Sequence, residues 1–182
     1  MDTHVIAAAL PTLGWAVHGG LLVRRLATAR RDPLTGLHTR AGWTTRAEHL
    51  LAKHPGALVL LVDLDDFKAT NDTHGHATGD AVLTATARRL STWVGRYGIA
   101  ARLGGDEFAA IVTDPGRTPG HQALQHALNR PLDYGGHTLP VSASVGCCHC
   151  SNLPVRTLTD ALATADAAMY AAKGHGRRNT HH

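Results

Sequence analysis

The sequence predicts an α/β sandwich, in which helices pack on a mainly antiparallel sheet. Residues 57–62 form a continuous apolar run, as in a strand that is buried on both faces. Farther along, Gly104 and Gly105 separate two apolar, strand-like segments, 99–101 and 109–112. A Gly-Gly pair in this position indicates a hairpin with a type I′ turn, which needs positive φ at both central residues. Segments with helical spacing precede and follow these strands, so helices and strands alternate along the chain.

The spacing of apolar residues and the positions of proline and glycine predict the elements in order along the chain. They are a helix over 44–53, the strand over 57–62, a helix over 77–94, the hairpin, a loop over 115–120, a short helix over 121–128, a turn at 135–136, a strand over 141–148 and a last helix. The first helix ends before Pro55, and the second is amphipathic. Apolar residues at spacings of four and three, such as Leu158, Leu162 and Ala165, mark the last helix.

The N-terminal residues 1–29 are predicted to form a separate apolar helix. Residues 5–23 contain no Asp, Glu, Lys or Arg, and arginines follow at positions 24, 25, 30 and 31. A run of this length is just long enough to span a membrane, with the arginines on the cytoplasmic side. Pro11 and several glycines dilute its hydrophobicity, so the alternative is a helix that packs on a partner or on a second copy. Residues 30–180 are predicted to form one domain in the cytoplasm, anchored to the membrane if the first interpretation holds.

Charge and cysteine content narrow the class of protein. The net charge is +4 with neutral histidines, the arginines are dispersed, and we find no nucleic-acid-binding motif, so no nucleic-acid partner is expected. Cys147, Cys148 and Cys150 lie in one predicted strand, where neighbouring side chains point to opposite faces. This spacing does not favour a zinc site. An odd, clustered set of cysteines is typical of a reducing cytoplasm rather than of a disulfide framework.

Two clusters of acids follow predicted strands. Asp63, Asp65 and Asp66 come directly after the buried strand, and Asp106 and Glu107 follow the Gly-Gly pair. Carboxylates at the end of a buried strand are costly unless they are paired or bind a metal. Hard cations such as Mg²⁺ prefer oxygen ligands of this kind. If the strand lies beside the hairpin, Asp63 and Asp106 can therefore share a divalent metal ion.

A cation and polar groups follow the first acid cluster. They are Lys68, Asn71 and two glycine-containing pairs at 75–76 and 79–80, and near a metal they suit a nucleoside triphosphate. With them, six motifs lie in a familiar order: 32–37 (Asp-Pro-Leu-Thr-Gly-Leu), 63–72, 75–80, 102–108 (Arg-Leu-Gly-Gly-Asp-Glu-Phe), 142–146 (Ser-Ala-Ser-Val-Gly) and 165–179. In these motifs the chain resembles the GGDEF diguanylate cyclase family from about residue 32 to residue 179.

The resemblance implies a fold and an activity. The fold is the palm-like, ferredoxin-related βαββαβ core shared with nucleotidyl cyclases and polymerases. The activity is the condensation of two GTP molecules, one held by each monomer of a homodimer, into cyclic di-GMP and two pyrophosphates. Divalent metal, Mg²⁺ or Mn²⁺ with two ions in each site, offsets the phosphate charge and lowers the pKa of the attacking hydroxyl.

The resemblance also implies roles for individual residues. The implied metal ligands are the carboxylates of Asp63, Asp106 and Glu107 and the backbone carbonyl of Leu64, and the implied catalytic residues are Asp106, Glu107 and Lys68. The implied substrate-binding residues are Phe67, Lys68, Lys173 and Arg177 for the phosphates, Asn71 and Asp80 for the guanine edge, and Gly104 and Gly105 for the approach of the α-phosphate. Asp65 is expected to support its loop, and Asp32 and Arg40 are expected to form an ion pair that is structural.

Some positions depart from the family pattern, and alternatives stay open. Many members carry Arg-x-x-Asp ending five residues before the Gly-Gly pair, whereas this chain has Gly-Arg-Tyr-Gly at 95–98, so we expect weak product inhibition at that site.

A non-catalytic GTP-binding or protein-interaction module is the alternative function. A cyclase of other dinucleotides is a third interpretation, which Asp80 disfavours because an acid pairs with the donor edge of guanine.

Overall fold

The computed structural model describes residues 30–176. The elements in this range are β1 (His38–Thr39), α1 (Arg40–Lys53), β2 (Leu58–Leu64), α2 (Phe67–His74), α3 (His76–Val94), β3 (Gly98–Gly104), β4 (Glu107–Val112), α4 (His121–Leu128), β5 (Leu132–Tyr134), β6 (His137–Leu139), β7 (Ala143–His149) and α5 (Leu158–Gly176). Short 3-10 turns follow α3, β4 and β7. The proposed N-terminal helix, residues 1–29, and Arg177 lie outside the described residues, so both predictions stay untested.

No helix among residues 30–176 is long and apolar enough to cross a membrane.

The central sheet has five strands in the order β1-β3-β4-β2-β7. Only the short β1 pairs in parallel, with β3, and the other three pairings of this sheet are antiparallel. From β2 onward, the sheet strands and helices α3 and α4 follow one another as β2, α3, β3, β4, α4 and β7, which is a βαββαβ order. The predicted α/β sandwich with a mainly antiparallel sheet is therefore confirmed.

Alternate residues of β2 face two separate hydrophobic clusters, because successive side chains of a strand point to opposite faces. Leu60 packs in a cluster with Leu83 and Leu90 of α3. Val59 packs in a second cluster with Trp43 of α1 and Ala161 of α5. Both faces of the sheet are thus covered by helices, which explains the uninterrupted apolar run of this strand.

The hairpin between β3 and β4 differs from its predicted turn type. Its two-residue loop consists of Gly105 and Asp106, and Gly104 belongs to β3 as the partner of Glu107. Of these residues, Gly105 alone has positive φ, at 44°. Positive φ at the first loop residue only is a feature of the type II′ turn, so the type I′ assignment was wrong. A register irregularity between Arg102 and Gly104 shifts the loop by one residue along the chain.

Helix α2, the β5–β6 hairpin and the short strand β1 were absent from the sequence prediction. Helix α2 has no buried residue and hence no apolar periodicity that could indicate it. The β5–β6 hairpin turns at Gly135 and Gly136, which both have positive φ, as a type I′ turn requires. The glycine pair thus connects two short strands instead of leading directly into a strand over 141–148, which begins at Ala143.

The three cysteines divide between the two faces of the sheet. Cys148 and Cys150 are buried in the cluster with Trp43, whereas Cys147 packs against the cluster that contains Leu60. Burial raises the pKa of the Cys147 thiol and raises that of Cys150 to about 11. Both thiols are therefore protonated at neutral pH and pack as small apolar groups.

Candidate active site

A cleft of about 510 Å³ opens where β2 ends and the β3–β4 hairpin turns. Its lining residues are Asp63, Leu64, Asp65, Asp66, Phe67, Lys68, Asp106, Ser142, Ser144, Ala172 and Lys173. Six of the site residues expected from the sequence are thus brought together: Asp63, Leu64, Phe67, Lys68, Asp106 and Lys173. They come from four places in the chain, namely the end of β2, the start of α2, the hairpin loop and α5.

Strand pairing explains why Asp63 and Asp106 meet. β2 lies beside β4 in the sheet, which meets the condition for a shared metal site, and Asp63 is the register partner of Glu107. Just beyond this pair, the Leu64 amide donates a hydrogen bond to the Asp106 carbonyl oxygen at 3.3 Å. The hairpin loop is therefore fixed to the end of β2, and both carboxylates line the same cleft.

Asp63 forms an ion pair with the ammonium group of Lys173 in this structure. Lys173 Nζ donates to Asp63 Oδ1 at 2.6 Å, and the Asp63 side chain is 19% exposed. α5 crosses the sheet so that Lys173, near its C-terminal end, reaches the end of β2. An acid that binds an ammonium group this closely is well suited to a positively charged ligand, and its oxygens are of the type that Mg²⁺ prefers.

Glu107 does not line the cleft with Asp63 and Asp106. It lines a neighbouring hollow of about 250 Å³ together with Arg40. Arg40 pairs with Glu107 Oε2 at 3.4 Å and also donates to the carbonyl oxygen of Leu103 at 3.3 Å. Since Asp63 and Glu107 are register partners, their side chains nevertheless leave the same face of the sheet.

The expected ion pair between Asp32 and Arg40 was wrong. Asp32 pairs instead with Arg102 at 3.4 Å. Arg102 also donates to the carbonyl oxygen of Gly105 at 2.9 Å, so it connects the loop at 32–37 directly to the hairpin. Burial opposes ionisation of Asp32, but hydrogen bonds from Thr35 and the charge of Arg102 outweigh it and lower the pKa of this carboxyl.

The residues expected at the guanine edge lie on α2 and α3. Asn71 of α2 contacts Gly79 of α3, and a Cβ at Gly79 would overlap Asn71 Oδ1 and lie 3.2 Å from the Phe67 ring. The glycine therefore allows the two helices to approach closely. Asp80 is exposed on α3 and lines a separate, shallow hollow with Leu34. Neither Asn71 nor Asp80 lines the 510 Å³ cleft.

Sequence reasoning assigned no role to Ser142 and Ser144, which both line the cleft. Both hydroxyls donate to the carboxylate of Asp65, at 2.6 and 2.8 Å. The available signal was their alternation at the start of a strand, which places them on one face. Arg96, one position out of register with the arginine of the family's product site, donates to the Tyr97 hydroxyl at 2.9 Å and lies over its ring.

Within residues 30–176, no group of three or more His, Cys, Asp or Glu side chains is arranged to hold a metal ion. Asp63 and Asp106 supply two carboxylates to the cleft, and the third expected acid, Glu107, is turned toward Arg40. A metal in this cleft would therefore need ligands from the backbone, from water or from a bound substrate.

The fold and this cleft define the class of protein. Residues 29–179 match the family described as "Diguanylate cyclase, GGDEF domain", and the chain belongs to that family. The general function of the family is the synthesis of cyclic di-GMP, and its domains bind GTP, use divalent metals and act as dimers. The palm-like fold of nucleotidyl cyclases that the resemblance implied is confirmed.

Three similar proteins illustrate the range of the family. An "uncharacterized 19.3 kDa protein in repSA 5′ region" of Streptomyces ambofaciens is 63% identical over 180 residues, which cover 99% of this chain and 98% of that protein. Diguanylate cyclase DgcN of Escherichia coli K12 is 39% identical over 157 residues. These residues cover 81% of this chain and 38% of DgcN, so the chain spans well under half of that relative.

Among solved structures, that of diguanylate cyclase SiaD from Pseudomonas aeruginosa in complex with its activator SiaC is similar, with a TM-score of 0.70 at 30% identity. The similarity covers 95% of this chain and 71% of that one.

Proposed function

We propose that this protein is a metal-dependent diguanylate cyclase that condenses two GTP molecules into cyclic di-GMP and two pyrophosphates at a homodimer interface. The observation that carries the proposal is the meeting of Asp63 and Asp106 with Lys68 and Lys173 in one cleft. Two acids suit a divalent metal and two lysines suit a triphosphate. A module that only interacts with proteins would have no need to keep all four groups together, and a non-catalytic GTP-binding module would differ in releasing no product.

The donor set of the cleft fits a divalent metal ion. The carboxylates of Asp63 and Asp106 and the backbone carbonyl of Leu64 would hold Mg²⁺ or Mn²⁺. In this structure Asp63 already forms an ion pair with the ammonium group of Lys173, so its carboxylate accepts a positively charged partner. When bound, the metal would offset phosphate charge and lower the pKa of the attacking 3′-hydroxyl.

The two lysines and the start of α2 would bind the triphosphate. Phe67 and Lys68 are the first two residues of α2, where free amides and the helix dipole favour an anion. Lys173 would exchange its carboxylate partner for a phosphate oxygen, so its charge stays paired before and after GTP binds. Arg177, expected to assist it, belongs to the same proposal.

Glu107 would join the reaction after its ion pair with Arg40 opens. The Arg40 and Glu107 side chains are 60% and 52% exposed, so we expect their pair to contribute only about 0–1 kcal/mol. Opening it therefore costs little compared with the binding of a divalent ion. Glu107 is thus available as the further metal ligand, needed for activity, that the resemblance implies.

The decisive experiment incubates the purified protein with GTP and Mg²⁺ and resolves the products by mass. We expect cyclic di-GMP and pyrophosphate in the presence of Mg²⁺ or Mn²⁺ and no product when EDTA removes the metal. A folded protein that binds GTP but releases no cyclic di-GMP at high protein concentration would favour the non-catalytic module. ATP in place of GTP tests the third interpretation, a cyclase of other dinucleotides.

Activity per monomer should rise with protein concentration. One cleft holds one GTP, and its 3′-hydroxyl must attack the α-phosphorus of a GTP held by a second copy, so the reactive species is a dimer. Rates measured across a hundredfold range of concentration, beside analytical ultracentrifugation, check this expectation. A constant rate per monomer with a monomeric sedimentation coefficient would contradict catalysis at a dimer interface.

Replacement of Asp80 by Ala should weaken the preference for GTP over ATP by about 5- to 150-fold. The variant leaves the guanine N–H donors without their acceptor, a loss of about 1–3 kcal/mol. Competition binding of the two nucleotides measures the preference, and the metal requirement should stay unchanged. Glu48→Ala, which removes an exposed acid from α1, is the matched control. An unaltered preference in Asp80→Ala would contradict the guanine assignment.

A further inference from the structure

The turn between β2 and α2 is held by a hydrogen-bonded cluster that we call the clamp. It consists of Asp65 in the turn and of Ser142 and Ser144 at the start of β7. Ser142 Oγ donates to Asp65 Oδ2 at 2.6 Å, and Ser144 Oγ donates to Asp65 Oδ1 at 2.8 Å. The Asp65 amide in turn donates to the Ser142 carbonyl oxygen at 2.9 Å. Both carboxylate oxygens are therefore occupied by hydroxyl groups, and three hydrogen bonds join this one residue to the start of β7.

The serine side of the clamp is itself anchored. Ala143, between the two serines, donates its amide hydrogen to Asn129 Oδ1 at 2.9 Å. Its carbonyl oxygen accepts from Gln125 Nε2 at 2.5 Å. Ala143 is also the register partner of Leu64 on β2. The hydroxyls of the clamp are thus presented by a segment that is bonded to β2 on one side and to residues 125–129 on the other.

The held turn has an unusual backbone. Asp66 has φ of 51° and ψ of 29°, and it is the one residue other than glycine with positive φ among residues 30–176. Asp tolerates this left-handed conformation better than most residues, but it is not the preferred one. Asp66 precedes α2 and makes no side-chain capping bond to it. No side chain at this boundary therefore caps α2, and the clamp holds Asp65, the residue directly before Asp66.

The clamp distinguishes Asp65 from Asp63, two residues earlier. The partner of Asp63 is an ammonium group at the end of a long side chain, which a metal ion can displace. The partners of Asp65 are short hydroxyl side chains on an anchored strand. Asp63 can therefore exchange Lys173 for a metal ion, whereas Asp65 keeps its serine partners and holds the turn.

We infer that Asp65 is a positioning residue: its carboxylate, held by Ser142 and Ser144, fixes the turn that presents Phe67 and Lys68 to the triphosphate. This inference rests on the proposed function for the identity of the ligand. The clamp itself is a property of the protein without ligand. Its loss should loosen residues 65–70 locally and weaken nucleotide binding while the sheet stays intact.

The test compares Asp65→Ala, the double variant Ser142→Ala/Ser144→Ala and Asp65→Asn. Amide hydrogen exchange is measured without ligand, and binding of a non-reactive GTP analogue is measured with Mg²⁺. In the first two variants we expect exchange at residues 65–70, read at the hydrogen-bonded amides of Asp65 and Thr70, to rise about tenfold and binding to weaken about tenfold, because local opening becomes easier. Amides of β4 should keep their wild-type exchange rates. Asn can accept one hydroxyl bond and donate the other, so Asp65→Asn should stay within about twofold of wild type in both measurements.

Thr138→Ala is the matched control. It removes a hydroxyl bond of the same kind, from Thr138 Oγ1 to Asp133 Oδ1 at 2.6 Å, on the exposed β5–β6 hairpin away from the cleft. Wild-type exchange at residues 65–70 in the double serine variant would overturn the inference. So would an Asp65→Asn protein with wild-type exchange but binding as weak as in Asp65→Ala, since Asp65 would then contact the metal or substrate itself. Absence of GTP binding in the wild type would refute the proposed function and leave the exchange result as the test of the clamp.

Discussion

Replacement of Asp63 by Asn should lower cyclase turnover about a thousandfold or more without unfolding the protein. Asn has the same shape, but it removes the negative charge from the end of β2 where the metal would bind. The lost stabilisation of the transition state is several kcal/mol, and each 1.4 kcal/mol is a factor of ten in rate. Initial rates of cyclic di-GMP formation at saturating GTP and Mg²⁺ measure the effect, and thermal unfolding reports on the fold. Asp106→Asn should have a comparable effect.

The matched control for both variants is Asp133→Asn. It makes the same chemical change at an exposed acid of the β5–β6 hairpin, where the amide oxygen can still accept the hydrogen bond from Thr138. Its turnover should equal that of the wild type. If the Asp63→Asn protein kept a rate within tenfold of wild type, the metal site assigned to the end of β2 would be incorrect.

Replacement of Gly146 by Ala should lower the free energy of unfolding by about 3 kcal/mol. A Cβ at this position would overlap the carbonyl oxygen of Ala165 and crowd the backbone nitrogen of Met169, both in α5. These are helix backbone atoms, which cannot rotate away as a side chain can. β7 and α5 would have to separate, and Lys173, which α5 holds over Asp63, would move with the helix.

Urea unfolding with linear extrapolation measures this effect, and an unchanged m-value shows that the two-state comparison is valid. Gly56→Ala is the control, since a Cβ there would meet no atom within 4 Å and its φ is not positive. We expect that control to change stability by less than about 0.5 kcal/mol. A Gly146→Ala protein as stable as the control would mean that β7 and α5 can separate at little cost.

Some of the site could be predicted because its signals are local. The apolar run of β2 and the acid that ends it are adjacent in the sequence, and so are Asp106 and the glycines of the hairpin. α3 and α4 were predicted within one residue of their observed bounds because each buries one helical face. Helix α2 could not be predicted in this way, since it buries none of its residues.

The partners of the charged groups could not be predicted from local signals. Lys173 lies 110 residues from Asp63, and Arg102 lies 70 residues from Asp32. Arg40 was expected to pair with Asp32 and instead contacts Glu107, 67 residues away. An arginine can form an ion pair with any carboxylate within reach, so its partner depends on which strands and helices lie side by side.

By itself the sequence determined the family, the strand that carries Asp63, the hairpin that carries Asp106 and a mainly antiparallel sheet packed with helices. These follow from apolar periodicity and from motifs in which neighbouring residues act together. The tertiary structure alone decided that Lys173 pairs with Asp63 and that Glu107 pairs with Arg40. It also decided that two serines, 77 and 79 residues away in the sequence, donate hydrogen bonds to Asp65. The reason is physical: side-chain periodicity is set within a few residues of chain, whereas ion pairs and hydroxyl bonds form only between groups that the packing of the sheet brings within about 3 Å.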